Sequence, residues 1–170
     1  ALARRLADEG YSLALLARRS EMLEELTNEI NSKHGATRAR FYIHDVTDYG
    51  SVPALLRQII ADLGGLDSFI FNSGVSYMVG LKKYDFEKDR QTADVNYIGA
   101  LAWLNPVAEM FQSLKAGQIV GVSSVAGERG RVGNPSYNAS KAALTCYLEA
   151  LRNRLTRYGV NVLTVNPGPV

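Results

Sequence analysis

The chain has 170 residues, a length that suits one domain, and 46% of them are hydrophobic, enough to supply a core. Nineteen basic residues against 17 acidic ones leave a net charge of +2, well mixed, which argues against a nucleic-acid or acidic-membrane partner. The one cysteine, Cys146, cannot form an intrachain disulfide, and no apolar run approaches the roughly 20 residues that cross a bilayer. The chain opens Ala-Leu-Ala-Arg-Arg, unlike a signal peptide, and a cytoplasmic location is the default expectation.

In chain order, residues 1–9 read as helix with Leu2 and Leu6 on one face, ended by Gly10. Residues 11–17 (YSLALLA) form an apolar run of strand length. Ser20 reads as an N-cap, with Glu21 and Glu24 near the positive helix end and Leu23, Leu26 and Ile30 at helical spacing before Gly35. A strand is expected over 39–44, followed by a helix capped by Asp48 that carries Val52, Leu55, Leu56, Ile59 and Leu63 and stops at Gly64-Gly65. Residues 67–71 read as a third strand, and a long helix follows from about Phe86 to Leu114, bent near Gly99 or Pro106. A fourth strand over 118–122 leads into a glycine-containing loop at 125–134. A helix over about 135–157 and a fifth strand over 160–165 precede Asn166-Pro167-Gly168. Short apolar strands alternating with amphipathic helices imply a parallel sheet with helices on both faces. Ligands of such sheets bind beyond the carboxyl ends of the strands.

The residues at those ends carry the chemistry. Tyr137 and Lys141 are four apart, so a helix puts them on one face, one turn apart. A free phenol titrates near ~10 and is a poor acid–base group at neutrality. A neighbouring ammonium stabilises the phenolate and lowers that value, which makes the pair a sensible proton donor and acceptor. Ser124, thirteen positions before Tyr137 and just after a strand, offers a hydroxyl to the oxygen of a reacting carbonyl or alcohol.

The run SSVAG…YNASKAAL…NPG resembles the short-chain dehydrogenase/reductase family, whose signature is a serine followed thirteen residues later by YxxxK. Asp94-Val95-Asn96-Tyr97-Ile98-Gly99 matches that family's DVNxxG segment, and Asp45-Val46 its adenine-side aspartate. Phe71-Asn72-Ser73-Gly74 matches its NNAG segment with Asn72 and Gly74 kept and two positions changed. The resemblance covers essentially the whole chain, in the correct order. It implies a Rossmann-like doubly wound α/β fold, forming a single dinucleotide-binding domain over 1–170, and an oxidoreductase that moves a hydride between NAD(P)(H) and a small carbonyl or secondary-alcohol substrate. It implies Tyr137 as acid/base and Lys141 as the group that lowers its pKa and bonds the nicotinamide ribose. It further implies Ser124 on the substrate oxygen, Asn96 holding Lys141 and a relay water, and Pro167-Gly168 against the nicotinamide. Asn72 is read either as a cofactor contact or as a residue that stabilises its loop.

Cofactor choice turns on Arg18 and Arg19, which follow the first strand where an NAD site usually carries an acidic residue. Guanidinium groups suit a 2′-phosphate, so NADP(H) is favoured over NAD(H), the alternative being a solvated arginine pair. Arg129 and Arg131 read as solvated loop residues more readily than as an anion site. Cys146 reads as a small buried residue or an interface residue. The helices at about 99–114 and 135–157 resemble those the family uses to pair subunits, and Leu144, Tyr147, Leu148, Leu151 and Leu155 look surplus to one sheet face. A homodimer or homotetramer is therefore expected.

The family's glycine-rich TGxxxGxG turn, the strand before it and the substrate-covering segment have no counterpart in residues 1–170. The expectation is a fold incomplete at both ends, with unpaired inner edges on the strands at 11–17 and 67–71 and little activity from these residues alone. Two other readings compete. A non-catalytic binding or regulatory relative would be expected to lose part of the Asn96, Ser124, Tyr137 and Lys141 set. An epimerase or dehydratase of the same fold would differ mainly outside these residues.

Overall fold

A computed structural model describes residues 1–34 and 37–168, so Gly35, expected to follow the second helix, lies outside the described residues. The chain forms two compact units, Ala1–Gly65 and Leu66–Val170, each with its own parallel sheet.

In the first unit the order is α1 (Leu2–Asp8), β1 (Leu13–Ala17), α2 (Ser20–His34), β2 (Ala39–Ile43), a 3₁₀ turn (Tyr49–Ser51) and α3 (Val52–Leu63). β1 and β2 pair in parallel from Leu13↔Ala39 to Ala17↔Ile43. Side chains alternate between faces along a strand. Leu13 and Ala39 therefore point one way, where they pack with Ala7 of α1 and Ile30 of α2. Tyr42 points the other way, and its hydroxyl donates to Asp62 Oδ2 of α3 at 2.8 Å. Helices thus cover both faces.

In α1, Leu6 packs with Ala3 and Ala7 against Leu13 and Ile30, while Leu2 is half exposed. Two local expectations for this unit need correction. α2 begins at Ser20 itself, with the Arg19 carbonyl accepting from the Leu23 N–H at 3.2 Å, so the cap falls one residue earlier. Asp48 precedes the 3₁₀ turn and makes no side-chain cap bond, since the extra turn separates it from the first amides of α3.

The second unit runs β3 (Ser68–Phe71), α4 (Phe86–Ala93), a π-helical turn (Asp94–Ile98), α5 (Gly99–Leu114), β4 (Gly117–Val122), a 3₁₀ turn (Val125–Gly127), α6 (Pro135–Leu155), a 3₁₀ turn (Thr156–Tyr158) and β5 (Val160–Val165). The strand order is β3-β4-β5, all parallel. Phe69, Phe71, Gly117, Ile119, Gly121, Val160 and Val162 share one face by register, and α5 and α6 pack on it. Glycine is required at two of these places. A Cβ on Gly117 would sit 2.4 Å from the Phe111 ring, and one on Gly121 would sit 2.1 Å from Leu148.

The helix expected over 86–114 changes its hydrogen bonding at Asp94–Ile98, immediately before Gly99, while Pro106 sits inside α5. The leucines of α6 read as surplus are not: Leu144, Leu148, Leu151 and Leu155 are at most 5% exposed, spent in the core of this unit. Cys146 is exposed on α6, which removes the buried alternative.

Among the described residues, β1 has a strand neighbour only in β2, and β3 only in β4. No helix among them is long and apolar enough to cross a membrane.

Candidate active site

Parallel strands direct their carboxyl ends to one edge, and in the second unit that edge gathers the residues that follow β3, β4 and β5. The Ser123 N–H donates to the Val165 carbonyl at 2.8 Å, and the Val125 N–H to the Pro167 carbonyl at 3.2 Å. These bonds hold the segment bearing Ser124 beside Pro167-Gly168.

Tyr137 lies half-buried in the first turn of α6, and Lys141 one turn later is only 4% exposed. Lys141 Nζ is 5.8 Å from the centre of the Tyr137 ring and donates to the Val122 carbonyl at the end of β4 at 2.9 Å. Among the described residues no carboxylate lies within ion-pair distance of it. Burial disfavours the ammonium and pushes its pKa below the usual lysine value.

Gly74 borders the same nitrogen. A Cβ there would stand 3.3 Å from Lys141 Nζ and 3.6 Å from Asn96 Oδ1, so the small residue keeps room at the ammonium. Asn72, two residues before it, is exposed after β3.

Asn96 is fully buried in the π-helical turn. Its Oδ1 accepts from the Val75 N–H at 2.7 Å, and its Nδ2 donates to the Val75 carbonyl at 2.9 Å and to Ser140 Oγ at 3.0 Å. Ser140 Oγ in turn donates to the Tyr137 carbonyl at 2.8 Å. Asn96 therefore clamps the segment after β3 to the turn of α6 that lies between Tyr137 and Lys141. A wide π-helical turn at such a place is a common mark of a functional site.

Ser124 caps the 3₁₀ turn, its Oγ accepting from the Ala126 N–H at 3.1 Å. The turn lies directly on α6. A Cβ on Gly127 would be 2.8 Å from both Ala142 N and Lys141 C.

The first unit carries its own candidates at the carboxyl edge of its sheet. Arg18 follows β1, and its guanidinium is 3.8 Å from Asp45 Oδ2 beyond β2, both groups being substantially exposed. Asp45 Oδ1 accepts from the Thr47 N–H at 2.9 Å and from Thr47 Oγ1 at 2.7 Å. Those bonds, the backbone one foremost, with Arg18 nearby, hold its carboxyl below the usual carboxylate range. Arg19 is exposed, and Val46 half-buried, at the same edge.

Sequence reasoning overlooked four supports of this geometry. Buried Ser123 donates to the Lys141 carbonyl at 2.9 Å and shares a bond with Thr145 Oγ1 at 2.7 Å, anchoring α6 to β4. Ser140 relays Asn96 to Tyr137, Gly127 admits the turn to α6, and Asn134 binds Ser76. For Ser140 and Asn134 the available signal was their place inside and just before the YNASK run, as small polar residues able to bond across elements.

The whole chain, residues 1–170, matches the family described as short chain dehydrogenase. It is 36% identical over 163 residues to an uncharacterized oxidoreductase of Myxococcus xanthus (strain DK1622), covering 96% of this chain and 64% of that one. It is 30% identical over 161 residues to the dehydrogenase/reductase SDR family member 7B of Mus musculus, covering 94% and 50%. The chain thus spans between half and two thirds of the length of these relatives. Among solved structures, NAD⁺-bound xylitol dehydrogenase superposes with a TM-score of 0.90 at 29% identity, over 98% of this chain and 64% of the other. An actinorhodin polyketide ketoreductase variant with NADPH gives 0.90 at 27% identity, over 99% and 64%. These likenesses bear out the Rossmann-like α/β fold expected from the sequence.

Proposed function

The chain belongs to the short-chain dehydrogenase family, and from that premise we propose that it carries the catalytic centre of an oxidoreductase moving a hydride between NADP(H) and a carbonyl or secondary alcohol, with Tyr137 as acid/base. The observation that carries this reading is Lys141. A buried ammonium, bonded to one carbonyl and lacking a carboxylate partner among the described residues, is expensive for a fold to keep. Its place beside a phenol, with Gly74 leaving room at the nitrogen, fits a group retained for chemistry.

The residues of the second unit fit the nicotinamide half of a dinucleotide. One Lys141 N–H serves Val122 and the others suit a ribose hydroxyl. Asn72, Gly74, Pro167 and Gly168 border the carboxyl edge where the nicotinamide half belongs. When bound, the cofactor supplies or accepts the hydride.

The chain's own residues do the rest. Tyr137 passes its hydroxyl proton to the carbonyl oxygen in reduction and takes it back in oxidation. Lys141 supplies a cation 5.8 Å from the centre of the Tyr137 ring. Ser124 Oγ orients the substrate oxygen, and Asn96 holds α6 in register with the segment after β3. One solved relative holds NAD⁺ and another NADPH, which supports a nicotinamide cofactor of either kind. The preference for NADP(H) rests on Arg18 and Arg19, whose charge suits a 2′-phosphate.

Tyr137→Phe in the complete protein tests the reading. NADPH binding, followed by fluorescence, should persist while turnover falls by ~10²–10⁴-fold. Near-normal turnover would remove Tyr137 from its role.

A further inference from the structure

Asn134 stands immediately before α6, three residues ahead of Tyr137, and it holds a left-handed backbone at φ 60°. Few residues other than glycine adopt that conformation, although asparagine tolerates it better than most. The side chain is 9% exposed, and its Nδ2 donates to Ser76 Oγ at 2.6 Å. Ser76 follows Val75, whose N–H and carbonyl are both gripped by Asn96, and lies two residues beyond Gly74 at the Lys141 ammonium. The segment from Gly74 to Ser76 is thus tied to α6 at two points, through Ser140 in its second turn and through Asn134 at its start.

We propose that Asn134 is a positioning residue for Tyr137: its bond to Ser76 sets the first turn of α6 against the segment that borders Lys141. The proposal rests on the reading of Tyr137 as acid/base. The Asn138 N–H donates to the Asn134 carbonyl at 3.3 Å, so Asn134 opens the hydrogen-bonded turn that contains Tyr137. The turn has a second anchor in Ser136 Oγ, which donates to Asp89 Oδ1 of α4. Loss of the Asn134 bond should therefore loosen the turn without unfolding it, and the phenol would lose placement more than the fold loses stability.

Two variants separate the bond from the backbone. Asn134→Gly keeps the left-handed conformation and removes the donor. Ser76→Ala removes the acceptor from the other side. In the complete protein, with NADPH and the activated diketone 9,10-phenanthrenequinone as probe, each should lower kcat about tenfold, a fraction of the ~10²-fold that an error of about 1 Å brings. KM for NADPH and Tm should stay near those of the parent. The double variant should be no worse than either single one, because both remove the same bond. Ser76→Thr, which keeps a hydroxyl, should retain kcat.

Hydrogen exchange requires no turnover. The amides of residues 136–139 should exchange severalfold faster, and equally, in the two single variants. Unchanged exchange, unchanged kcat beside an inactive Tyr137→Phe, or losses that multiply in the double variant would overturn the proposal. An active Tyr137→Phe would instead overturn the acid/base reading and take the proposal with it.

Discussion

Replacing Lys141 by methionine should make the protein more stable and inactive at once. The side chain is 4% exposed, with one bond to the Val122 carbonyl and, among the described residues, no carboxylate partner. Burying an ammonium costs on the order of several kcal/mol after relaxation. The charge-assisted bond to Val122 returns roughly 1.5–3 kcal/mol of that. Lys141→Met fills similar space, removes the penalty and forfeits the bond, so the expected net gain is on the order of 1 kcal/mol. For a chain of this size that raises Tm by roughly 2–4 °C.

The gain should also depend on pH. Burial holds the folded-state pKa of Lys141 below its ordinary value of 10.5. Below that depressed value both folded and unfolded chains carry the proton, and the penalty is full. Between it and 10.5 the unfolded chain binds more protons, so the parent gains stability as pH rises. The advantage of the methionine variant should therefore shrink on approach to 10.5 from below. Thermal melts without cofactor, run from neutral pH upward beside a turnover assay, read both effects. A methionine variant less stable than the parent at neutral pH, or an advantage that grows with pH, would refute the reasoning that the fold bears an uncompensated charge there.

Two further outcomes follow from the geometry. Gly127→Ala would place a methyl 2.8 Å from the backbone of Lys141 and Ala142, where ordinary contact starts at 3.4 Å. Since α6 is anchored through Ser123, the turn bearing Ser124 should be what moves, with kcat lowered by ~10–10²-fold and stability by about 1–3 kcal/mol. Steady-state kinetics beside thermal melts check this, and full activity would mean that the turn yields elsewhere. Arg18→Ala should raise Kd for NADPH far more than for NADH, by the equivalent of roughly 1.5–3 kcal/mol, in parallel fluorescence titrations. Equal losses for both cofactors would make Arg18 a structural partner of Asp45.

What the sequence determined by itself is what short-range rules control. Tyr137 and Lys141 share a helix face because a helix repeats every 3.6 residues. The alternation of apolar strands with helices specifies a parallel sheet, and the carboxyl ends of its strands then collect Ser124, Asn72 and Pro167 at one edge. Tertiary structure decided whatever depends on partners far along the chain. Asn96 is a clamp because Val75 and Ser140, 21 and 44 residues away, supply its bonds. The leucines of α6 could be counted from sequence, yet whether they face a sheet or a second subunit depends on where β4 and β5 lie. Asp48 had the right chemistry for a cap and lost the position to one extra 3₁₀ turn. The isolation of the Lys141 charge was invisible for the same reason: desolvation is set by all the atoms that pack around a group, and sequence spacing records only those on its own helix.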